Sequence, residues 1–129
     1  MKLDSLKPNA HYDMVHGMPA VLEKDNDGSV IYRVNITEEK AIPDGEAEER
    51  QIGWSCYEVR TFDKPTKAGL KRVFIRSVID ETAEFSLVNS YNKHVLGIAP
   101  NEAAVAEYKE YLQFTEDLDA KIIKDLSDN

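Results

Sequence analysis

Residues 54–97 decide the fold, and they read WSCYEVRTF, DKPT, KAGLKRVFIRSVID and ETAEFSLVNSYNKHVLG. The first block continues from a glycine, and Gly53–Phe62 shows the side-chain alternation that is typical of a β-strand. In the third and fourth blocks, apolar residues recur at the spacing of an amphipathic helix. Gly97 suits a helix end, because glycine readily adopts the left-handed conformation found there. The stretch therefore predicts a strand followed by two helices, over residues 65–79 and 83–96.

Two further strands are predicted upstream, where Ala20–Glu23 and Val30–Ile36 flank the turn sequence DNDG at residues 25–28. In the second of these segments, alternate apolar residues share one face and Arg33 points the other way. Gly28 supplies the positive φ that a tight hairpin turn requires. The hairpin and the following strand predict a three-stranded meander.

A long helix is predicted downstream, because Asn101 is a good N-cap and apolar residues then recur at spacings of three and four. A helix across residues 101–126 would span about 39 Å, which exceeds the expected width of a domain of this size. Two alternatives remain open. Either the helix breaks near Thr115–Asp117, or its end projects and packs on a partner.

We expect an α+β fold in which a short antiparallel three-stranded meander is followed by three helices packed on one face. The length fits a single domain over residues 1–129. Within it, residues 1–18 are expected to be a poorly ordered arm, residues 37–51 an exposed loop and residues 101–129 a helical segment that projects if it does not break. The expected core or near-core residues are Trp54, Val59, Phe62, Leu70, Phe74 and Val78.

Composition narrows the classes of function. The net charge of −8 argues against general binding of nucleic acid or anionic membranes by the whole surface. No apolar run approaches the roughly 20 residues of a membrane span, and the first residues lack the apolar region of a signal peptide. Cys56 is the only cysteine, which favours a reducing, cytoplasmic location. With no histidine beside it in sequence, we interpret it as a structural thiol and not a nucleophile.

Charge is unevenly distributed along the chain. Residues 51–100 carry a formal charge of +2, whereas residues 1–50 and 101–129 each carry −5. This pattern is compatible with an ordinary solvated surface. It is also compatible with self-association in which an acidic tail meets a basic middle helix.

The basic residues of this middle region are the best candidate binding face that the sequence offers. Clusters of cations are what phosphate contacts require, so residues 64–76 make a nucleic-acid-binding accessory protein one alternative. No aromatic residue is interleaved on this face, and the rest of the chain is acidic. An ordinary solvated helix face, or a docking face for an acidic protein segment, is therefore preferred over a nucleic-acid site. The candidate residues are Arg60, Lys64, Lys67, Lys71, Arg72 and Arg76.

No catalytic or cofactor motif is recognisable, which favours a non-enzymatic protein without a cofactor. His11, Asp13 and His16 are metal-ligand types, but their spacing matches no common site, so we predict no metal. The acidic turn before Gly28 lacks the ligand at the twelfth position of a calcium loop, where Val34 falls. An unrecognised small-molecule binder or enzyme remains a second alternative.

Several short segments of this chain resemble small uncharacterised proteins of phages and prophages of gut bacteria. They are Trp54, Glu58-Val59-Arg60, Asp63–Thr66, Ile75-Arg76 and Leu87–Asn92. The segment Tyr108–Asp117 is similar to the Tyr-x-x-Tyr-Leu-x-x-Thr-Asp ending of such proteins and of some tail-fibre assembly chaperones, from which it departs by the extra Glu116.

The resemblance implies a virion-associated or assembly role and supplies no catalytic residues. We therefore expect a protein-interaction module of prophage origin, located in the cytoplasm or on the virion. Its expected partner is another protein or a second copy of the chain.

Overall fold

The computed structural model describes residues 1–128 and has the predicted α+β class, with a four-stranded antiparallel sheet and three helices. By their contacts the residues form two compact units. The sheet unit comprises residues 6–64, and the helical unit comprises residues 1–5 together with the described part of 65–129. The expectation of a single domain stays a prediction.

The sheet contains one strand more than predicted, and its order is β1-β4-β3-β2. The predicted hairpin and third strand correspond to β2, β3 and β4. The added strand, β1, lies within residues 1–18, the segment expected to be a poorly ordered arm. This expectation is wrong, because the segment contains β1 and also a 3₁₀ turn at Leu3–Ser5. The strands are β1 (Ala10–Asp13), β2 (Leu22–Lys24), β3 (Val30–Ala41) and β4 (Arg50–Thr61).

A close backbone approach and a side-chain amide join β1 to β4. Asp13 pairs with Gly53, and a Cβ at Gly53 would lie only 2.0 Å from the carbonyl oxygen of Tyr12. Just before β1, the Asn9 side chain accepts from the Glu58 N–H at 2.8 Å and donates to the Glu58 carbonyl at 2.9 Å. Neither feature produces a hydrophobic period, so this strand is only weakly indicated by the residue pattern.

The two central strands extend beyond their predicted ends. The exposed loop expected over 37–51 is wrong at both ends, because Thr37–Ala41 pairs with β4 and only residues 42–49 connect the strands. A register shift follows Val34, where Asn35 has a φ of 56°. Such a bulge lets a polar segment continue the ladder after the buried part of the strand. Backbone pairing, and not apolar burial, orders this segment.

The first five residues of β3, Val30–Val34, are all buried, so both faces of this strand are covered. The turn before it is the predicted one, and Gly28 has a φ of 88°. Asp27 accepts hydrogen bonds there from the backbone and the hydroxyl of Ser29. Because both faces of β3 are covered, the side chain of Arg33 is buried. The alternation of the sequence predicts only that Arg33 points away from the apolar face.

Each of the three helices begins at a side-chain cap. The hydroxyl of Thr66 and the side-chain oxygens of Asp80 and Asn101 accept hydrogen bonds from backbone N–H groups of the first turns. Gly97 follows the second helix with a φ of 74°, as predicted. The helices are α1 (Lys67–Val78), α2 (Glu81–Val95) and α3 (Glu102–Ser127).

The last helix is continuous, so the break predicted near Thr115–Asp117 does not occur. The Thr115 hydroxyl donates to the carbonyl of Leu112 at 2.8 Å and does not cap a new helix. Buried side chains continue to Ile122 and Asp125, so the final turns are covered and the alternative of a projecting end is also wrong.

Most of the predicted core is correct. Trp54, Val59, Leu70 and Phe74 are buried, and Val78 is partly buried. The prediction of Phe62 as a core residue is wrong, because Phe62 follows the last paired residue of β4 and is 72% exposed.

Candidate functional site

Of the six predicted basic residues, Arg60 and Lys64 belong to the sheet unit and the other four belong to the helical unit. Arg60 pairs with Asp25 at 2.7 Å and with Asp27 at 3.5 Å, beside the hairpin turn. The hydrogen bond from Arg60 also lowers the pKa of Asp25. The charge of this arginine is thus compensated within the sheet unit.

Three of the basic residues of the helical unit are also paired internally. Lys67 and Lys71 each lie 3.3 Å from Asp119 of α3. Arg76 lies 2.8 Å from Glu84 at the start of α2. The basic helix α1 and the acidic C-terminal helix α3 therefore form ion pairs with each other within one chain. A binding role for the six cations stays a prediction.

The strongest polar cluster of the sheet unit surrounds Arg33, which is 2% exposed. Its guanidinium donates to Glu58 at 2.9 Å, to Glu23 at 2.7 Å, to the Ala20 carbonyl at 2.9 Å and to the Tyr12 hydroxyl at 3.0 Å. It also lies over the Tyr12 ring, with Cζ 4.8 Å from the centroid. No sequence pattern predicts this cluster, because its members come from four separate segments.

A cleft of about 340 Å³ opens beside this cluster. Four of the five N–H groups of Arg33 already donate to protein acceptors, and two carboxylates balance its charge. The guanidinium therefore has few free donors for an anionic ligand, so we interpret the cluster as a structural one that holds the strands together. The cleft is lined by Tyr12, Asp13, His16, Gly17, Met18, Pro19, Ala20, Glu23 and Arg33.

The metal-ligand types noted near the start of the chain do not converge. His11 contacts Glu39 across the sheet at 2.5 Å, whereas His16 lines the cleft. Among residues 1–128, no group of three or more His, Cys, Asp or Glu side chains is placed to hold a metal ion.

Cys56 is fully buried in β4, and burial raises the pKa of its thiol to about 11. At pH 8 the thiolate fraction is then roughly 200-fold lower than that of an ordinary cysteine with a pKa near 8.5. We expect alkylation by iodoacetamide to be at least that much slower in the folded protein than in urea, as measured by mass spectrometry. Comparable rates in the two conditions would contradict a structural thiol.

One side of α2 contacts α3 through polar and aromatic side chains. Glu84 accepts hydrogen bonds from the Tyr111 hydroxyl and from Arg76, and both lower its pKa. Further along, the rings of Tyr91 and Tyr108 lie 4.8 Å apart between centroids. These contacts fix which face of α2 is turned away from α3.

Apolar residues are also exposed on and just after α2, and none of the 15 residues of this helix is buried. A groove of about 210 Å³ lies between Tyr91 of α2 and residues of the first turns of α3. We call the whole the α2–α3 surface. Its residues on and after α2 are Phe85, Tyr91, Val95, Leu96 and Ile98, and those on α3 are Val105, Tyr108, Lys109 and Leu112.

Comparisons with protein-family models, with curated proteins and with solved structures find no match for this chain. Within residues 1–128, no helix is both long enough and apolar enough to cross a bilayer. What the protein binds must therefore be inferred from its own surfaces.

Proposed function

We propose that this protein is a non-enzymatic protein-interaction module of prophage origin that serves in virion assembly. It docks another protein chain, or a second copy of itself, on the α2–α3 surface. The observation that carries the proposal is the exposure of α2, a 15-residue helix without a buried residue. A surface helix normally buries one apolar stripe, so this helix has the character of an element whose partner is another chain.

The chemistry of the α2–α3 surface supports protein docking. Phe85 is 65% exposed and Leu96 is 71% exposed, and two tyrosines, Tyr91 and Tyr108, line the groove. Contiguous apolar patches mark interaction sites, and aromatic residues are enriched at the centres of protein interfaces.

The phage resemblance supports the same surface. Two of the resembling segments, Leu87–Asn92 and Tyr108–Asp117, lie on α2 and α3 and contribute residues to it. The assembly role is proposed from this resemblance, as is a location in the cytoplasm or on the virion.

The alternative of nucleic-acid binding has less support. Four of the six candidate cations, Arg60, Lys67, Lys71 and Arg76, form ion pairs with carboxylates of the same chain. Each contact with a phosphate would first have to compete with such a pair.

The double variant Phe85→Ser/Leu96→Ser tests the proposal. Both side chains are largely exposed, so we expect the free energy of unfolding to change by less than about 1 kcal/mol. Association should weaken at least tenfold, because two apolar anchors are removed from one face. Light scattering over a range of concentrations measures self-association, and capture from the cells that naturally make the protein measures binding of another protein.

The matched control is Phe62→Ser/Val15→Ser, which replaces two equally exposed apolar residues of the sheet unit. It should associate like the wild type. The proposal would be overturned if the wild type were a strict monomer and its capture of other proteins did not depend on Phe85 and Leu96. Equal loss of association in both double variants would also overturn it.

A further inference from the structure

The far part of the β3–β4 hairpin has unpaired sheet edges. In the described chain, β2 pairs only with Val30–Tyr32 of β3, and β1 pairs only with residues 53–56 of β4. Among the described residues, the outer edge of β3 therefore has no strand beside Thr37–Ala41, although these five residues pair with β4, with a register shift between Glu39 and Lys40. Such an edge presents backbone N–H and C=O groups that can accept a further strand.

This part of the hairpin is strongly acidic. Residues 37–52, which we call the β-arm, contain six acidic and two basic side chains, a formal charge of −4. Glu46 pairs with Arg50 and Glu39 with His11, but within residues 1–128 the other acids of the β-arm form no ion pair. These acids are Glu38, Asp44, Glu48 and Glu49.

Two exposed isoleucines accompany the charges. Ile42 is 59% exposed at the start of the connection, and Ile52 is 43% exposed in β4. The β-arm thus offers three features together: an open backbone edge, a negative field and apolar side chains.

We propose that the outer edge of β3 at Thr37–Ala41 binds an extended basic segment of a partner protein as an added strand. The main chain of that segment pairs with the edge, and its Lys or Arg side chains meet the carboxylates of the β-arm. Charge decides the occupant, because a second copy would bring an equally acidic arm and be repelled. The acidic side chains therefore repel the edge of a second copy and attract a basic strand.

The probe is an eight-residue peptide of alternating lysine and valine, titrated into the ¹⁵N-labelled full chain. We expect saturable shifts of the amide signals of Thr37–Ala41. The glutamate–valine counterpart should not bind. A lysine–valine peptide with N-methyl groups on its central four residues keeps its charge but loses backbone donors, so its affinity should fall at least tenfold.

Two charge-matched triple variants distinguish attraction of the peptide to the β-arm from attraction to the net charge of the whole protein. Glu38→Lys/Glu48→Lys/Glu49→Lys reverses three charges of the β-arm and should weaken binding of the basic peptide at least tenfold. Glu102→Lys/Glu107→Lys/Glu116→Lys reverses three exposed charges of α3 and should change the affinity less than threefold.

Absence of saturable binding overturns the proposal. So does equal weakening by the two triple variants, or an unchanged affinity of the N-methylated peptide, since either would mean attraction by net charge alone. The result is independent of the α2–α3 surface, because Phe85→Ser/Leu96→Ser should bind the basic peptide as the wild type does.

Discussion

Arg33→Met is expected to lower the free energy of unfolding by about 3 kcal/mol, because it leaves buried partners without their cation. Glu58 would lose its ion pair at 2.9 Å, and the Ala20 carbonyl and the Tyr12 hydroxyl would each lose a donor. Glu23 is half exposed and can turn to water, which keeps the loss at the lower end of the range for broken buried pairs. Urea denaturation measures the effect.

The double variant Arg33→Met/Glu58→Leu serves as the control for this cluster. With both charges removed, part of the loss should be recovered, giving a coupling energy of roughly 1 to 2 kcal/mol. A loss below about 1 kcal/mol for Arg33→Met alone would contradict the assignment of Arg33 as the tie between β1, β3 and β4.

Gly53→Ala is expected to cost about 2 to 3 kcal/mol, since overpacking against backbone cannot be relieved by a side-chain rotation. The new Cβ would lie 2.0 Å from the carbonyl oxygen of Tyr12 and 3.2 Å from the Cα of Asp13. The strand β1 must move away from β4, which also separates Tyr12 from Glu58. Hydrogen exchange of the β1 amides should accelerate together with the loss of stability.

Gly28→Ala is the matched substitution within the same unit. No atom lies within 4 Å of its added Cβ, so only the positive φ of 88° opposes it, at a cost of about 1 kcal/mol. The β1 amides should remain protected in this variant. Equal effects of the two alanines would show that close approach at Gly53 does not hold β1.

The parts of the fold that were predictable are those with a local signal. The turn ending at Gly28, the cap at Asn101 and the helix end at Gly97 each depend on a few adjacent residues, and all three are confirmed. The apolar periods of α1 and β4 likewise identified buried Leu70, Phe74 and Val59.

The parts that were missed depend on partners distant in sequence. Gly53 and Asn9 hold β1 through backbone contacts that leave no pattern in the residues themselves. The outer half of β3 is polar and looked like a loop, but pairing with β4 satisfies its backbone. The alternation of β3 assigns Arg33 only to the opposite face, whereas three other segments of the chain surround its side chain in the fold.

The candidate basic face illustrates the same limit. Six cations in one short stretch suggested a binding face, yet the carboxylates that neutralise most of them lie elsewhere in the chain, as Asp119 and Asp25 do. Conversely, the α2–α3 surface gave little signal, because an apolar stripe on a helix is ordinarily read as core. Only the structure shows that Phe85 and Val95 of this stripe are exposed.

Site-specific photo-crosslinking tests the central claim most directly. A benzoylphenylalanine is placed at position 96 on the α2–α3 surface and, as a control, at the exposed position of Ala120 on α3. In the cells that naturally make the protein, position 96 should give one discrete adduct, to another protein or to a second copy, and position 120 should give none. No adduct from position 96, or the same adducts from both positions, would contradict the α2–α3 surface as the docking site.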